Sequence, residues 1–515
     1  MLLENGDFDE KSKCGGISNG YSLDCDVVVV GGGGLGLVAA VRAAEAGVKK
    51  IVVIEKTSKP GGNTMLAIGM MGADTQTQKK CGFEVSPDTI FKMSMESAEW
   101  ALDPVIVRTF INNTKVLMDW LADKGLEFKV LPSTHNFGVQ GVYHQVIKKH
   151  SGNKEAWPGP GFVGSYVVEK MLEECKKHNI EIMTSTKATK ILLNDAGKAS
   201  GILAEADDTK IQINAPCVII SAGCFSANKD MLKKYFPQFF TLDNNITRLS
   251  KAASTGDGIL MAEEIGAKVG ENMGVLLFGP AHHPGKFSVY SLSHQPYCMC
   301  VNKKGKRFYD EAIGFRAQNA MSRDYDNTIV YSILDEDTKN YFYETVETDG
   351  FLKENAEFNR RLDEDLKTED AAGKLAKIGN TLDEIAYFLG VEPDVLKATV
   401  EQYNRYCDNG RDEDFVKDKQ FLRPIRQAPY YAIVGYRCFD TTHGGIMVNE
   451  NLEVLDSERK GISGLFATGD NCSGWVSQNY TVPGTSLAWC FNSGYMAGEN
   501  ASKYIHTFVK CGNQV

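Results

Sequence analysis

A chain of 515 residues, 43% hydrophobic and 24% charged, has the make-up of a globular protein and length enough for more than one domain. Its formal charge of −10, with lysines scattered rather than clustered, argues against a nucleic-acid partner, and no apolar run reaches membrane-span length. The acidic start MLLENGDFDEKSKCGG lacks the order of a secretory signal, and thirteen cysteines form neither a C-x-x-C pair nor a disulfide framework, so a reduced, cytoplasmic chain is expected.

Residues 26–56, DVVVVGGGGLGLVAAVRAAEAGVKKIVVIEK, predict a buried strand, a glycine turn, a helix and a second strand. Gly31, Gly33 and Gly36 stand at G-x-G-x-x-G spacing: the first for a tight turn, the second for close approach to a pyrophosphate, the third for helix–strand packing. The N–H groups and dipole of the helix start, around Gly34 and Leu35, suit the phosphates. Glu55, nineteen residues after Gly36, is placed to accept from a ribose, and Gly62-Asn63-Thr64 follows where it could touch the same cofactor.

Residues 86–130 have a helical pattern ending near Lys124-Gly125, and 131–162 read as loop. A helix is expected over Tyr166–Lys177, then strands at 180–184, 189–193 and from Cys217 into Ala222-Gly223. From about 270 to 425 charge rises and βαβ patterning disappears, although Leu396, Val400, Tyr403 and Cys407 mark one helix between Pro393 and Gly410. The C-terminal part returns to a strand ending at Gly469-Asp470. A Gly484-Thr485-Ser486-Leu487 helix start follows, leading to a helix expected to close on Gly494–Gly498. The fold class is therefore α/β: a Rossmann-like nucleotide-binding domain in discontinuous segments, 24–270 and 426–508, with an inserted α+β domain over 271–425 and short tails at 1–23 and 509–515.

At this point the sequence resembles the flavoprotein family of fumarate reductases, succinate dehydrogenases, urocanate reductases and 3-ketosteroid dehydrogenases. The resemblance spans roughly 24–508 and rests on the motifs above, on Ser254–Gly258, on VNKKGKRFYDE ending at Glu311, and on THGGIMVN, GLFATGDN and GTSLAWCFNSGYMAG. It implies FAD, a capping domain over the isoalloxazine, and hydride transfer between flavin N5 and a carbon–carbon bond beside an electron-withdrawing group. Such chemistry also needs a proton donor and a group to hold the developing enolate. By the same resemblance, Gly31, Gly33, Gly34, Leu35, Gly36, Glu55, Lys56, Gly62, Asn63, Thr64, Ala222, Gly223, Asp257, Asp470, Ser486 and Leu487 contact FAD.

Fumarate reductases carry a proton-delivering arginine after the Arg-Phe…Glu motif. Here Arg316 stands one residue later and is the candidate acid, a salt bridge being its alternative role. Where dicarboxylate reductases clamp substrate with an arginine, this chain has Tyr480, four residues before Gly484. The spacing resembles the Tyr…Gly pair that holds a ketone oxygen in ketosteroid dehydrogenases, making Tyr480 an oxyanion-hole or proton donor. A phenol does not replace a guanidinium against a carboxylate. His443, directly before Gly444-Gly445, is a candidate contact to the flavin C2 carbonyl or to the substrate, and Thr441, nearest in register to the family's substrate histidine, is a candidate substrate contact. The expectation is an enone reductase or dehydrogenase working on a small molecule with an external electron donor or acceptor. An unsaturated-carboxylate reductase is the alternative, and an electron-transfer subunit without turnover of its own is the reading from another class.

Overall fold

A computed structural model of the chain describes residues 20–131, 140–147, 163–237, 247–248, 252–271, 273–282, 286–313, 320, 329–349, 352–353, 356–476 and 482–512. Its organising element is a six-stranded sheet in the spatial order Glu453–Leu455, Gly461–Ala467, Cys217–Ile220, Val27–Val30, Ile51–Ile54, Glu181–Met183. All neighbours in it are parallel except the first pair. Val27–Val30 and Cys217–Ile220 are buried at every position, as a parallel strand covered on both faces demands. Strands from positions 27 and 467 thus lie in one sheet, with Cys217–Ile220 between them.

Two helices pack together against this sheet. Gly34–Glu45 leaves the glycine turn, and Thr485–Gly512 lies along it. The second helix does not close at Gly494–Gly498, as its glycines suggested. A Cβ on Gly494 would stand 2.5 Å from the Leu35 carbonyl oxygen, and one on Gly498 would stand 2.5 Å from that of Ala39. Those glycines let two helix backbones touch, and the helix runs on past them.

A four-stranded sheet (Gly20–Asp24, Thr209–Asn214, Ala199–Ala206, Lys187–Leu193) and a three-stranded one (Met70–Met71, Tyr143–Val146, Phe128–Leu131) flank the core. The helical pattern of 86–130 resolves into Pro87–Ser97 and Pro104–Asp123, capped by Ser86 and Asp103. Its last residues, Phe128–Leu131, form a strand instead, with Phe128, Val130 and Leu131 buried against its neighbours. Tyr143–Val146 is likewise a strand within a stretch expected to be loop.

The second six-stranded sheet is built around one long strand, Tyr430–His443. Its first half pairs with Ile329–Asp335 and Ala376–Gly379, and its last residues pair with Gly274–His282, His443 opposite Gly274. Helices Leu382–Leu389 and Pro393–Asn409 cover this sheet, and Gly410 ends the latter at φ +65°. The same strand therefore starts at the centre of the second sheet and delivers Thr441 and His443 to the turn that follows Gly461–Ala467 of the first.

Candidate active site

The glycine turn behaves as its spacing requires. Gly31 has φ +110°, and a Cβ there would lie 2.4 Å from the Ser221 carbonyl oxygen; one on Gly36 would lie 2.0 Å from the Gly31 oxygen. Over Gly33 the nearest atom to such a Cβ is 3.9 Å away, and over Gly223, at φ +76°, none lies within 4 Å. Glycines are filled in where protein meets protein and open where a ligand would approach. That pattern fits the pyrophosphate of a dinucleotide.

The flanking residues converge on this turn. The Gly61 N–H donates to Gly32 O at 2.8 Å, and the Gly34 N–H donates to Thr64 Oγ1 at 3.3 Å. A Cβ on Gly62 would touch Gly33 at 3.4 Å, and Asn63 Nδ2 donates to Ser254 Oγ at 2.9 Å. Leu35 packs against Gly469 and Gly494, and Ala222 against Gly258. Glu55 is buried at the end of its strand and accepts from Gly32 N, Thr57 N and Thr57 Oγ1. Three bonds leave acceptor capacity on a carboxylate that offers about four sites. Lys56 and Asp257 find each other: Nζ lies 2.6 Å from Asp257 Oδ2 and 2.7 Å from Thr255 Oγ1.

The second cluster centres on Asp470, in the short turn Gly469–Asn471 after strand Gly461–Ala467. Its carboxylate accepts from Thr441 Oγ1 at 3.0 Å and pairs with His443 Nδ1 at 2.9 Å, while Ser486 Oγ lies 3.4 Å away at the start of the long helix. The Gly444 N–H donates to the Asp470 carbonyl, which fixes the two strand ends together. An ionised carboxylate only accepts, so the His443 Nδ1–H is the donor in this contact. Beside the pair stands Asp440, whose carboxyl burial pushes up to about 6, with His443 opposing and Asp470 adding to the rise.

Thr441, His443, Asp470 and Ser486 are thus brought together. Leu487 is buried one residue on. Gly484, at φ +79°, lies against Met70-Met71: its carbonyl accepts from Met71 N at 3.0 Å, and a Cβ there would meet that nitrogen at 2.6 Å. Arg316 and Tyr480 lie outside the described residues. Sequence reasoning missed Thr442, which accepts from Phe225 N, and Ser473, which accepts from Gly445 N. It also missed Trp475 and Trp489, whose rings stack at 5.2 Å behind His443. Both hydroxyls bind backbone more than 25 residues away in sequence, which no local pattern encodes.

The family described as "FAD binding domain" matches residues 26–487. A vinyl phenol reductase of Lactiplantibacillus plantarum is 29% identical, over 93% of this chain and 97% of its own. A urocanate reductase of Eggerthella lenta is 30% identical, over 94% of this chain and 75% of its own. Among solved structures, the 3-ketosteroid delta1-dehydrogenase of Sterolibacterium denitrificans superposes with a TM-score of 0.76 at 19% identity, covering 93% of this chain and 99% of that one. A flavocytochrome c3 fumarate reductase in its open conformation gives 0.71 at 24% identity, covering 94% and 78%. With the glycine cradle and the parallel sheet in place, the chain belongs to the FAD binding domain family, as a flavin-dependent oxidoreductase of the kind that acts on carbon–carbon double bonds.

Proposed function

We propose that the protein transfers hydride between FAD and a carbon–carbon bond conjugated to an uncharged acceptor, a ketone above all. The observation that carries this reading is the Asp470 cluster. Among the described residues, the carboxylate's partners are two hydroxyls, a thiol and an imidazole, and a second carboxyl, Asp440, lies close by. A substrate carboxylate about 4 Å from such a group meets roughly 4 kcal/mol of repulsion at an effective dielectric constant near 20. A neutral ketone escapes that full-charge repulsion on binding, and the donors assigned below hold its oxygen as enolate charge develops. The vinyl phenol named for one relative is neutral as well.

When bound, FAD supplies or accepts the hydride. We assign its phosphates to the turn around Gly31, Gly33, Gly34, Leu35 and Gly36 and its ribose to Glu55. Gly62, Asn63, Thr64, Ala222, Gly223, Asp470, Ser486 and Leu487 line the rest, Asp470 facing both flavin and substrate, and Lys56 with Asp257 braces the nucleotide end as an ion pair. The remaining work falls to the substrate side. Thr441 and His443 contact the substrate, oriented by Asp470. Tyr480 and the Gly484 N–H donate to the acceptor oxygen, and Arg316 delivers the proton to carbon.

The unsaturated-carboxylate reading keeps one specific support, the urocanate reductase at 30% identity. Reoxidation of the anaerobically reduced holoprotein by enones, vinyl phenols and enoates separates the two. Neutral substrates are expected to reoxidise the flavin, and reoxidation by carboxylates alone overturns the proposal. Reoxidation by none of them returns the protein to the electron-transfer class. Tyr480→Phe and Arg316→Ala test the assigned donors, and full activity in both removes them from the mechanism.

A further inference from the structure

The turn that carries Asp470 is held by two tryptophans. Trp489 Nε1 donates to the Gly469 carbonyl at 3.0 Å, and Trp475 Nε1 donates to the Cys472 carbonyl at 2.8 Å, one bond on each side of Asp470. The two rings are stacked, centroids 5.2 Å apart and planes 14° from parallel, with Phe110 edge-on to Trp489 at 5.4 Å. His443 completes the circuit. Its Nδ1 pairs with the Asp470 carboxylate, and its ring stands edge-on to Trp475 at 5.0 Å and 74°. Both indoles are buried, with only 2% and 1% of their surfaces exposed. The turn's other ends are fixed too, since the Gly469 N–H donates to Ser493 Oγ and Asn471 Nδ2 to the Thr468 carbonyl.

We propose that Trp475 and Trp489 are positioning residues for the reaction: their stacked indoles clamp the Asp470 turn by its flanking carbonyls, and Trp475 also limits the tilt of the imidazole that Asp470 holds. A buried tryptophan needs one partner for its N–H, and any carbonyl would serve. Here both choose carbonyls that flank a single carboxylate, and one ring then supports that carboxylate's histidine. The aromatic stack is rigid where a loop alone is not, so carboxylate and imidazole keep one mutual geometry while substrate and product exchange. The inference rests on the reading that His443 and Asp470 serve the substrate side of the flavin.

The test uses the full-length, FAD-loaded protein. Trp489→Phe and Trp475→Phe keep a ring and remove the donor. Replacing each tryptophan by benzothienylalanine keeps the whole bicyclic stack and puts sulfur in place of N–H, so packing and donor are separated. Nitrogen resonances of the His443 imidazole report its tautomer and need no substrate, so failure of the substrate assignment leaves this readout standing. The donor-less variants are expected to mix the two His443 tautomers and to lower kcat about 10- to 100-fold with KM little changed. In an Asp470→Asn background the same changes are expected to cost nothing further, because both act through one group. Unchanged imidazole resonances, wild-type turnover with benzothienylalanine, or a full additional loss in the Asp470→Asn background would each overturn the proposal.

Discussion

Two clusters of charged side chains, one around Arg307 and one around Asp470, are built on opposite terms. In the first, Arg307 forms fork-like pairs with both Glu311 and Asp412, and Lys417 Nζ lies 3.2 Å from Glu311 Oε2. Two cations face two carboxylates, and their side chains are at most 3% exposed. Burial alone would raise the Glu311 carboxyl, but Lys417 and Arg307 hold it below the usual carboxylate range. In the second, Asp470 has hydroxyls and an imidazole for company, and Asp440 crowds it. A neutralised network fixes structure. A carboxylate held by hydroxyls and one imidazole, with no Lys or Arg among its described partners, is free to orient groups toward a ligand.

The contrast predicts which kind of damage each cluster suffers. Glu311→Gln strands two buried cations with one carboxylate and is expected to cost about 3–5 kcal/mol of stability. Denaturant unfolding of the holoprotein measures it, and a loss under about 1 kcal/mol would mean the quartet is no more structural than a surface pair. Asp470→Asn is expected to do the reverse. It should leave stability within about 1 kcal/mol while lowering kcat about 100-fold. Equal losses of stability in the two variants would erase the distinction between the clusters.

The smallest effect concerns Asp440. Its folded pKa of about 6 lies above the unfolded value near 3.9, so its ionised form weakens the fold. That cost is absent below about pH 4, grows through pH 6 and is complete above it. Asp440→Asn should therefore stabilise the protein by about 1–2 kcal/mol at pH 8 and by less at pH 5. Stabilisation that is equal at both values would mean that the fold does not hold the Asp440 carboxyl above its usual range.

What the sequence made legible was local. Val27–Val30, its glycines, the following helix and Glu55 lie within thirty residues and appear in place, as does the helix between Pro393 and Gly410. Glycines misled where their reason was tertiary: Gly494 and Gly498 look like helix terminators yet exist for contact with Leu35 and Ala39. At the site, Thr441, His443, Asp470 and Ser486 were each visible, but their meeting at one carboxylate depends on a strand that begins in another sheet. The indole clamp was invisible, because its partners are main-chain carbonyls without residue identity.

The proposed function requires this flavoprotein to prefer an uncharged acceptor beside Asp470. A matched pair tests it most directly: 4-phenylbut-3-en-2-one and cinnamate, which differ only in ketone against carboxylate, mixed with the reduced holoenzyme in a stopped-flow instrument. The ketone is expected to reoxidise the flavin at least about tenfold faster, a factor worth about 1.4 kcal/mol of barrier. Faster reoxidation by cinnamate would contradict it.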